Sequence, residues 1–305
     1  MAPALSDFQP QPAPKATAAA QAAIGDGLVA EAQAFADKLA AWRHDLHQTP
    51  ELGNRLPQTS AYIQARLTEM DIPFATLVDG SCVVGLIGAG AAVAAQGNGT
   101  CTDDQAGTVI MLRGDMDALP VAEESGEPFA SVNGCMHACG HDMHATALLG
   151  AARLLKARET ELVDANATVK LLFQPGEETF EGARAAIADG LLQNPRPQAA
   201  FAMHVNSQSP LGLVLYGSPA LSGVYGFRIT LQGKGGHGSS PEISIDPITA
   251  GVHVHLALQE LISREVPAAK EVALTVGKFA GGQAANVIPD TCVLEGTLRL
   301  SLIHI

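Results

Sequence analysis

Three short apolar runs, each ending on side chains able to hold a cation, constrain this chain most. Thr108 to Arg113 (TVIMLR) leads into Gly114-Asp115-Met116-Asp117, Ala167 to Gln174 (ATVKLLFQ) into Pro175-Gly176-Glu177-Glu178, and Ala199 to Met203 into His204. Continuous apolar runs of this length belong to strands buried on both faces. Helical sequence lies between them, so the pattern predicts an α/β fold with a mixed, mostly parallel sheet flanked by helices. In such a sheet a site forms beyond the carboxyl ends of the strands. Asp115, Asp117, Glu177, Glu178 and His204 are therefore expected to converge.

The stretch Cys135 to His144 (CMHACGHDMH) packs two thiols, three imidazoles and a carboxylate into ten residues. In an extended segment alternate side chains point the same way, so Cys139 and His141 would aim together, with Gly140 allowing a tight turn. Ala145 to Arg158 is strong helix-forming sequence, which places the cluster at or just before a helix N-terminus. That position favours anions, including a thiolate. A single Cys or His here would read as a buried core residue; several donors together favour a metal site, without fixing which of them bind. No second Cys/His pair follows at zinc-finger spacing, so the site is expected to draw its other ligands from distant parts of the chain.

Residues 1–26 are rich in Pro, Ala and Gln and read as a mobile tail. A first domain is expected over 27–220, opening with an amphipathic helix from Leu28 to His47 and a second from Pro57 to Met70. Strands follow at Phe74 to Val78 and Cys82 to Ile87, then a long surface loop from Gly88 to Gly107. From 221 to 305 the pattern changes to β-α-β-β, with strands at Gly223 to Gln232, Val272 to Phe279 and Val287 to Arg299 and a helix at Pro247 to Arg264. This is three-quarters of a ferredoxin-like unit and reads as a second, incomplete α+β domain.

The formal net charge of -13 argues against a nucleic-acid footprint, which needs a basic face, and gives no reason for an anionic membrane as partner. Five scattered cysteines do not form a disulfide framework, and a reducing cytoplasm is the expected compartment. The N-terminus lacks a signal-peptide pattern, and no apolar run reaches the length of a membrane span.

Two divalent ions about 3.5–4 Å apart can polarise a carbonyl and acidify a water. Such a site needs His, Cys and carboxylate ligands and one carboxylate left free as a base. Adjacent Glu177 and Glu178, if extended, would face opposite ways, one to metal and one to substrate. For Asp115 and Asp117, orienting the ligands is as good a reading as direct ligation. A mixed O/N/S site admits Zn, Mn, Co or Ni.

These motifs resemble the M20 metallopeptidase family, and within it the amidohydrolase branch of hippurate hydrolase, N-acyl-amino-acid amidohydrolases and auxin-conjugate hydrolases. The resemblance rests on RHDLH (43–47) with Pro50-Glu51-Leu52, LRGDMDALP ending at Pro120, MHACGHDMH ending at His144, and FQPGEE ending at Glu178. It continues through Met203-His204-Val205, GKGGHG (233–238), Asp246-Pro247-Ile248 and Asn286-Val287-Ile288-Pro289. It implies a zinc-aminopeptidase-like catalytic domain with a lid. Cys139, His141, Glu178 and His204 match the family's metal ligands, Glu177 the base that activates the attacking water, and Asp117 an orienting Asp. Asp115 stands where other branches carry a His ligand. His237, Asn286 and Arg299 match residues that reach the substrate, His237 from the partner subunit of a homodimer formed through the lid.

Two departures stand out: Glu242 replaces a His frequent in this branch, and the chain ends at Ser301-Leu302-Ile303-His304-Ile305. Family members continue through the rest of the lid and supply a final His ligand, so a C-terminal truncation is expected. The implied activity is cleavage of a small-molecule N-acyl amino acid by a two-metal amide hydrolase. Its alternatives are a dipeptidase or carboxypeptidase of the same family, or an inactive metal-binding fragment.

Overall fold

The computed structural model describes residues 27–96, 101–214, 223–267, 270 and 272–300. The expected tail at 1–26 and the terminal residues 301–305 lie outside the described residues. The chain forms two compact units, Met1–Gln208 and Ser209–Ile305. Among the described residues no helix is long and apolar enough to cross a membrane.

In the first unit, helical residues 27–34 turn at Phe35 and continue as α1 (Ala36–His47), which buries Trp42, Leu46 and His47. α2 (Pro57–Glu69) opens on a proline, whose missing N–H is no loss in a first turn. Its free N–H groups at Gln58 and Thr59 are taken by the Glu51 carboxylate, at 3.0 and 2.8 Å. Then follow β1 (Phe74–Leu77), β2 (Cys82–Gly88), α3 (Ala89–Gln96), α4 (Asp103–Ala106) and β3 (Thr108–Asp115). The unit continues with α5 (His141–Lys156), α6 (Glu159–Asp164), β4 (Ala167–Gln174), α7 (Gly182–Ala188) and β5 (Ala199–Ala202).

The five strands pair in the order β1-β2-β4-β3-β5. β3 runs parallel to β4 and β5, whereas β2 is antiparallel to β1 and β4, so the sheet is mixed and its parallel pairing is confined to one side. Successive strand residues face opposite ways. Val83 and Leu171 join a core with Trp42, Ile63, Leu67 and Leu149, under α1, α2 and α5. Their neighbours Val84 and Leu172 pack on the other face with Ala186 and Leu191. In the β3/β4 register Asp115 lies opposite Gln174, so Asp117 and Glu177 leave the sheet side by side.

The surface loop expected at Gly88 to Gly107 is not what the structure contains. α3 and α4 occupy its described residues, with Ala89, Ala91, Ala94 and Ala106 buried. The Thr168 hydroxyl accepts the Gly90 N–H at 2.8 Å and donates to the Ala106 carbonyl at 2.6 Å, binding both helices to β4. Small residues suggested a loop because they carry no amphipathic pattern. They serve here to bring two short helices close to the sheet.

The second unit contains β6 (Gly223–Gln232), β7 (Gly236–His237), a 3-10 turn (Pro241–Ile243), α8 (Pro247–Arg264), β8 (Val272–Gly281), β9 (Val287–Ile288) and β10 (Thr291–Leu300). β10 lies between β6 and β8, antiparallel to both, and β7 pairs with β9. The expected last strand is thus two: β9 joins the small ribbon and β10 the sheet. α8 is capped by Asp246, whose carboxylate accepts the Ile248 N–H at 2.9 Å, and it buries Pro247 and Gly251. Cys292 and Leu294 of β10 are fully buried.

Candidate metal centre

α5 begins at His141, with Gly140 as its N-cap at φ +93. Cys139 and His141 are therefore not alternate residues of an extended segment. The left-handed glycine turns the chain so that both reach one place, and their donor atoms lie with one from His204 within 4.8 Å of one another. Gly114 lets this helix start sit on β3, since a Cβ there would lie 2.9 Å from the His144 carbonyl oxygen.

The His141 ring donates from Nδ1 to the Asp117 carbonyl at 2.8 Å, and Nε2 has no hydrogen-bond partner. Around Nε2 stand Asp115 Oδ2 at 3.6 Å, Glu178 Oε1 at 3.8 Å and Glu177 Oε2 at 3.9 Å. The two glutamates lie in a turn after β4, not in an extended segment, and both converge on His141 instead of facing apart. The turn is held by Asp117, whose Oδ1 and Oδ2 accept the Glu177 and Glu178 N–H groups. After β5, His204 donates from Nδ1 to the Val205 carbonyl at 2.6 Å and presents Nε2 to Cys139 Sγ at 3.4 Å.

His144 was counted in the sequence cluster but given no role there. It lies one turn beyond His141 on α5 and is 3% exposed. Nδ1 donates to Asp115 Oδ1 at 2.6 Å, and Nε2 accepts the Val205 N–H at 2.9 Å. With both nitrogens occupied it braces β3 against the segment carrying His204. Arg113 completes this support: Nη1 approaches Asp115 Oδ2 at 2.6 Å, and Nε donates to Gln174 at 3.0 Å.

Burial would push Asp115 up, but the His144 hydrogen bond and the Arg113 charge outweigh it and hold Asp115 below the usual carboxylate range. Burial also opposes a charge on His141, yet the hydrogen bond to Asp117 and the surrounding carboxylates lift it above the ordinary histidine range. Glu177 is raised, first by burial and then by the Glu178 and Asp115 charges, against the pull of His141. The expected anion-favouring position does not make Cys139 a thiolate by itself. Burial, followed by Glu178, Glu177 and Asp115, pushes its thiol up to about 12. A cation bound among these carboxylates would reverse that effect and favour the thiolate.

Two buried atoms at the centre, His141 Nε2 and Glu178 Oε1, lack a hydrogen-bond partner, and Asp115 Oδ2, which the Arg113 guanidinium approaches at 2.6 Å, lies 3.6 Å from the imidazole nitrogen. Orphaned buried polar atoms are rare, and two that face each other beside further carboxylate oxygens call for something between them. Glu178 Oε1 is an acceptor, and so is His141 Nε2 when the ring is neutral. The donor sets Cys139/His141/His204 and His141/Glu177/Glu178 meet at His141 and suit two adjacent divalent ions with oxygen, nitrogen and sulfur ligands. Asp115 and His144 form a third group with His141, but their mutual bond and the Val205 N–H identify it as a support. His137 belongs to none of these groups; it is buried with both nitrogens unpaired, and burial pushes it down to about 4.

In the second unit His237 on β7 lies opposite Val287 on β9, and the Gly238 N–H donates to the Asn286 carbonyl at 2.8 Å. His237 and Asn286 are thus brought together and both are exposed, with the ring of His237 bonded to Ser239 at 2.7 Å. Arg299 lies elsewhere in the unit, on β10, in register with Val224 and Ala273.

Comparison with known proteins agrees with this geometry. The peptidase family M20/M25/M40 matches residues 111–296. IAA-amino acid hydrolase ILR1-like 4 of Arabidopsis thaliana is 41% identical over 267 residues, 87% of this chain and 56% of the relative. N-acetyl-L-cysteine deacetylase of Bacillus subtilis is 39% identical over 265 residues, 86% of this chain and 59% of the relative. The chain thus spans a little over half the length of these curated relatives. Among solved structures, the Bacillus subtilis YXEP protein, a dinuclear metal-binding peptidase of the M20 family, superposes with a TM-score of 0.67 at 33% identity, covering 89% of this chain and 66% of that one. A sheet whose parallel strands deliver carboxylates and histidines to the start of α5, together with these relatives, places the chain in the M20/M25/M40 peptidase family, on its amidohydrolase branch.

Proposed function

We propose that this chain carries the catalytic machinery of a two-metal amidohydrolase that cleaves the amide bond of N-acyl amino acids or related conjugates. The observation that supports this best is the pair of buried atoms without a partner, His141 Nε2 and Glu178 Oε1, facing each other beside Asp115 Oδ2 and Glu177. Cys139, His141, Glu178 and His204 would hold the ions. When bound, two divalent ions supply the positive charge that polarises the amide carbonyl and acidifies a water. Glu177, the more exposed of the glutamate pair, takes a proton from the attacking water and later delivers it to the leaving nitrogen. Its raised affinity for protons suits both duties. Asp117 keeps Glu177 and Glu178 aimed. We assign His237, Asn286 and Arg299 to recognition of the substrate's carbonyl and carboxylate, and homodimerisation to the second unit.

The relatives named for IAA-amino acid and N-acetyl-L-cysteine substrates set the panel for a test. Metal content by elemental analysis, with hydrolysis of both substrate types, should give close to two ions per chain and release of free amino acid. Glu177→Gln should keep the metal and lose turnover by at least a hundredfold. Two bound ions without hydrolysis of any N-acyl amino acid would leave a metal-binding fragment and overturn the amidohydrolase reading.

A further inference from the structure

A second buried network lies behind the metal cluster, and its residues have no part in the chemistry above. Asp142, the residue after His141, is 1% exposed, and its Oδ2 receives Arg43 Nε at 2.6 Å and His47 Nδ1 at 2.8 Å. The other nitrogen of His47 meets Glu123 Oε1 at 3.0 Å. Carboxylates only accept, so both bonds exist together only while both His47 nitrogens carry hydrogen. Burial opposes the charge on Glu123, but hydrogen bonds from Ser125, Ser131 and His47 bring the group down to about 2. Hydrogen bonds therefore link Arg43, Asp142, His47 and Glu123 into one chain.

This network joins two structures that bear on the site. One is the first turn of α5, which carries His141. The other is the segment between Asp117 and Cys139, closed into a loop by reciprocal 3.0 Å backbone bonds between Leu119 and Met136. Glu123 organises that loop by accepting the Ser131 N–H at 2.7 Å and the Ser125 hydroxyl at 2.5 Å. Phe129 at its far side stacks on His44 with centroids 3.8 Å apart, meets the edge of His47 at 5.5 Å and lies under the Arg43 guanidinium at 5.1 Å. Asn133 adds a bond to the Pro50 carbonyl at 2.9 Å. The end of α1 thus grips the loop and the start of α5 at once.

We propose that His47, with Arg43, is a positioning residue that fixes His141 through Asp142 and Cys139 through the 120–135 loop, and so sets the geometry of the metal cluster. The inference rests on the two-metal reading above but adds residues that touch neither metal nor substrate. Removing partners that orient metal ligands weakens binding by about 10- to 100-fold in general.

The test uses the full 305-residue chain with His47→Gln, whose amide can serve Asp142 but opposes its carbonyl oxygen to Glu123. Cobalt(II) affinity by chelator competition should fall about tenfold or more, and the cobalt absorption bands that report thiolate and ligand geometry should shift. In the metal-free protein, amide exchange of residues 137–145 should accelerate relative to the rest of α5. Unchanged affinity, bands and local exchange in a folded His47→Gln protein would overturn the proposal. Should that variant not fold, Arg43→Gln removes the other donor to the same Asp142 oxygen from a partly exposed position, and the same three readouts decide. If the unmodified chain binds no cobalt, the two-metal reading fails by itself, and the exchange measurement still judges the role of His47.

Discussion

Asp117 Oδ1 accepts the backbone N–H of Glu177 at 2.9 Å, and through its other oxygen the same carboxylate takes the N–H of Glu178 at 3.0 Å. Its carbonyl meanwhile fixes the ring of His141. One residue therefore ties donors from two elements into a common frame. Asp117→Asn turns one acceptor into an amide donor pointed at an N–H, so the glutamate turn must move. Metal affinity is expected to fall about 10- to 100-fold while the circular dichroism spectrum stays that of the parent. Chelator competition measures the first quantity, and an affinity within twofold of the parent would show that the turn holds without this contact.

Gly140 joins Cys139 to His141 at φ +93, and a Cβ there would lie 2.5 Å from Val205 Cγ2. Gly140→Ala meets both a left-handed backbone that costs an L-residue about 1–2 kcal/mol and a clash with a stiff β-branched side chain. Because Val205 follows His204, the displacement reaches the metal cluster from both sides. Denaturant unfolding of the metal-free protein should show a loss of about 2 kcal/mol or more, and zinc affinity should drop further than this loss of stability alone accounts for.

The convergence of Asp115, Asp117, Glu177, Glu178 and His204 was legible because buried strands have a recognisable composition and parallel strands deliver their carboxyl ends to one edge. Supports that cross the fold were not. Nothing near His144 announces that its ring will take the N–H of Val205, 61 positions away, and nothing near His47 announces Asp142, 95 positions away. The turn at Glu177-Glu178 was hidden for a related reason. Alternation along a strand predicts opposed side chains, but a tertiary contact to Asp117 bends the backbone after Gln174. At Gly88 to Gly107 composition misled, since Ala and Gly residues packed under Thr168 look the same on paper as Ala and Gly residues in solvent.

Lys170 lies in β4 at 3% exposure, and its ammonium donates to the carbonyls of Leu191, Gln193 and Pro195 at 2.6, 2.9 and 3.0 Å. Burial pushes it down from 10.5 to about 8, and the Asp103 charge only partly opposes this. Between those two values the unfolded chain binds the proton more tightly than the native protein does. Stability from this group is therefore fully present above pH 10.5 and is lost as the pH falls through 8. The amplitude is at most about 3.5 kcal/mol, from about 1.4 kcal/mol per pH unit. Unfolding free energies measured from pH 8 to 10.5 should rise more steeply for the parent than for Lys170→Met. Parallel profiles would mean that Lys170 does not titrate in this window.

Cys139 gives the last prediction its sign. Burial, the charge and hydrogen bond of Glu178, and the charges of Glu177 and Asp115 push the thiol up to about 12, so at neutral pH it carries its proton. A metal ion binds the thiolate, and must displace that proton to do so. Each ion bound at Cys139 then releases about one proton, and the logarithm of the affinity gains about one per pH unit from this residue. Cys139→Asp offers a carboxylate already ionised at neutral pH, which keeps a negative ligand and removes the proton. Between pH 6.5 and 8 the slope of log affinity against pH should be lower by about one in Cys139→Asp than in the parent, with fewer protons released in calorimetry across buffers of different ionisation enthalpy. Equal slopes would show that the sulfur of Cys139 does not bind the ion, and would shift the first site to His141, His204 and the carboxylates.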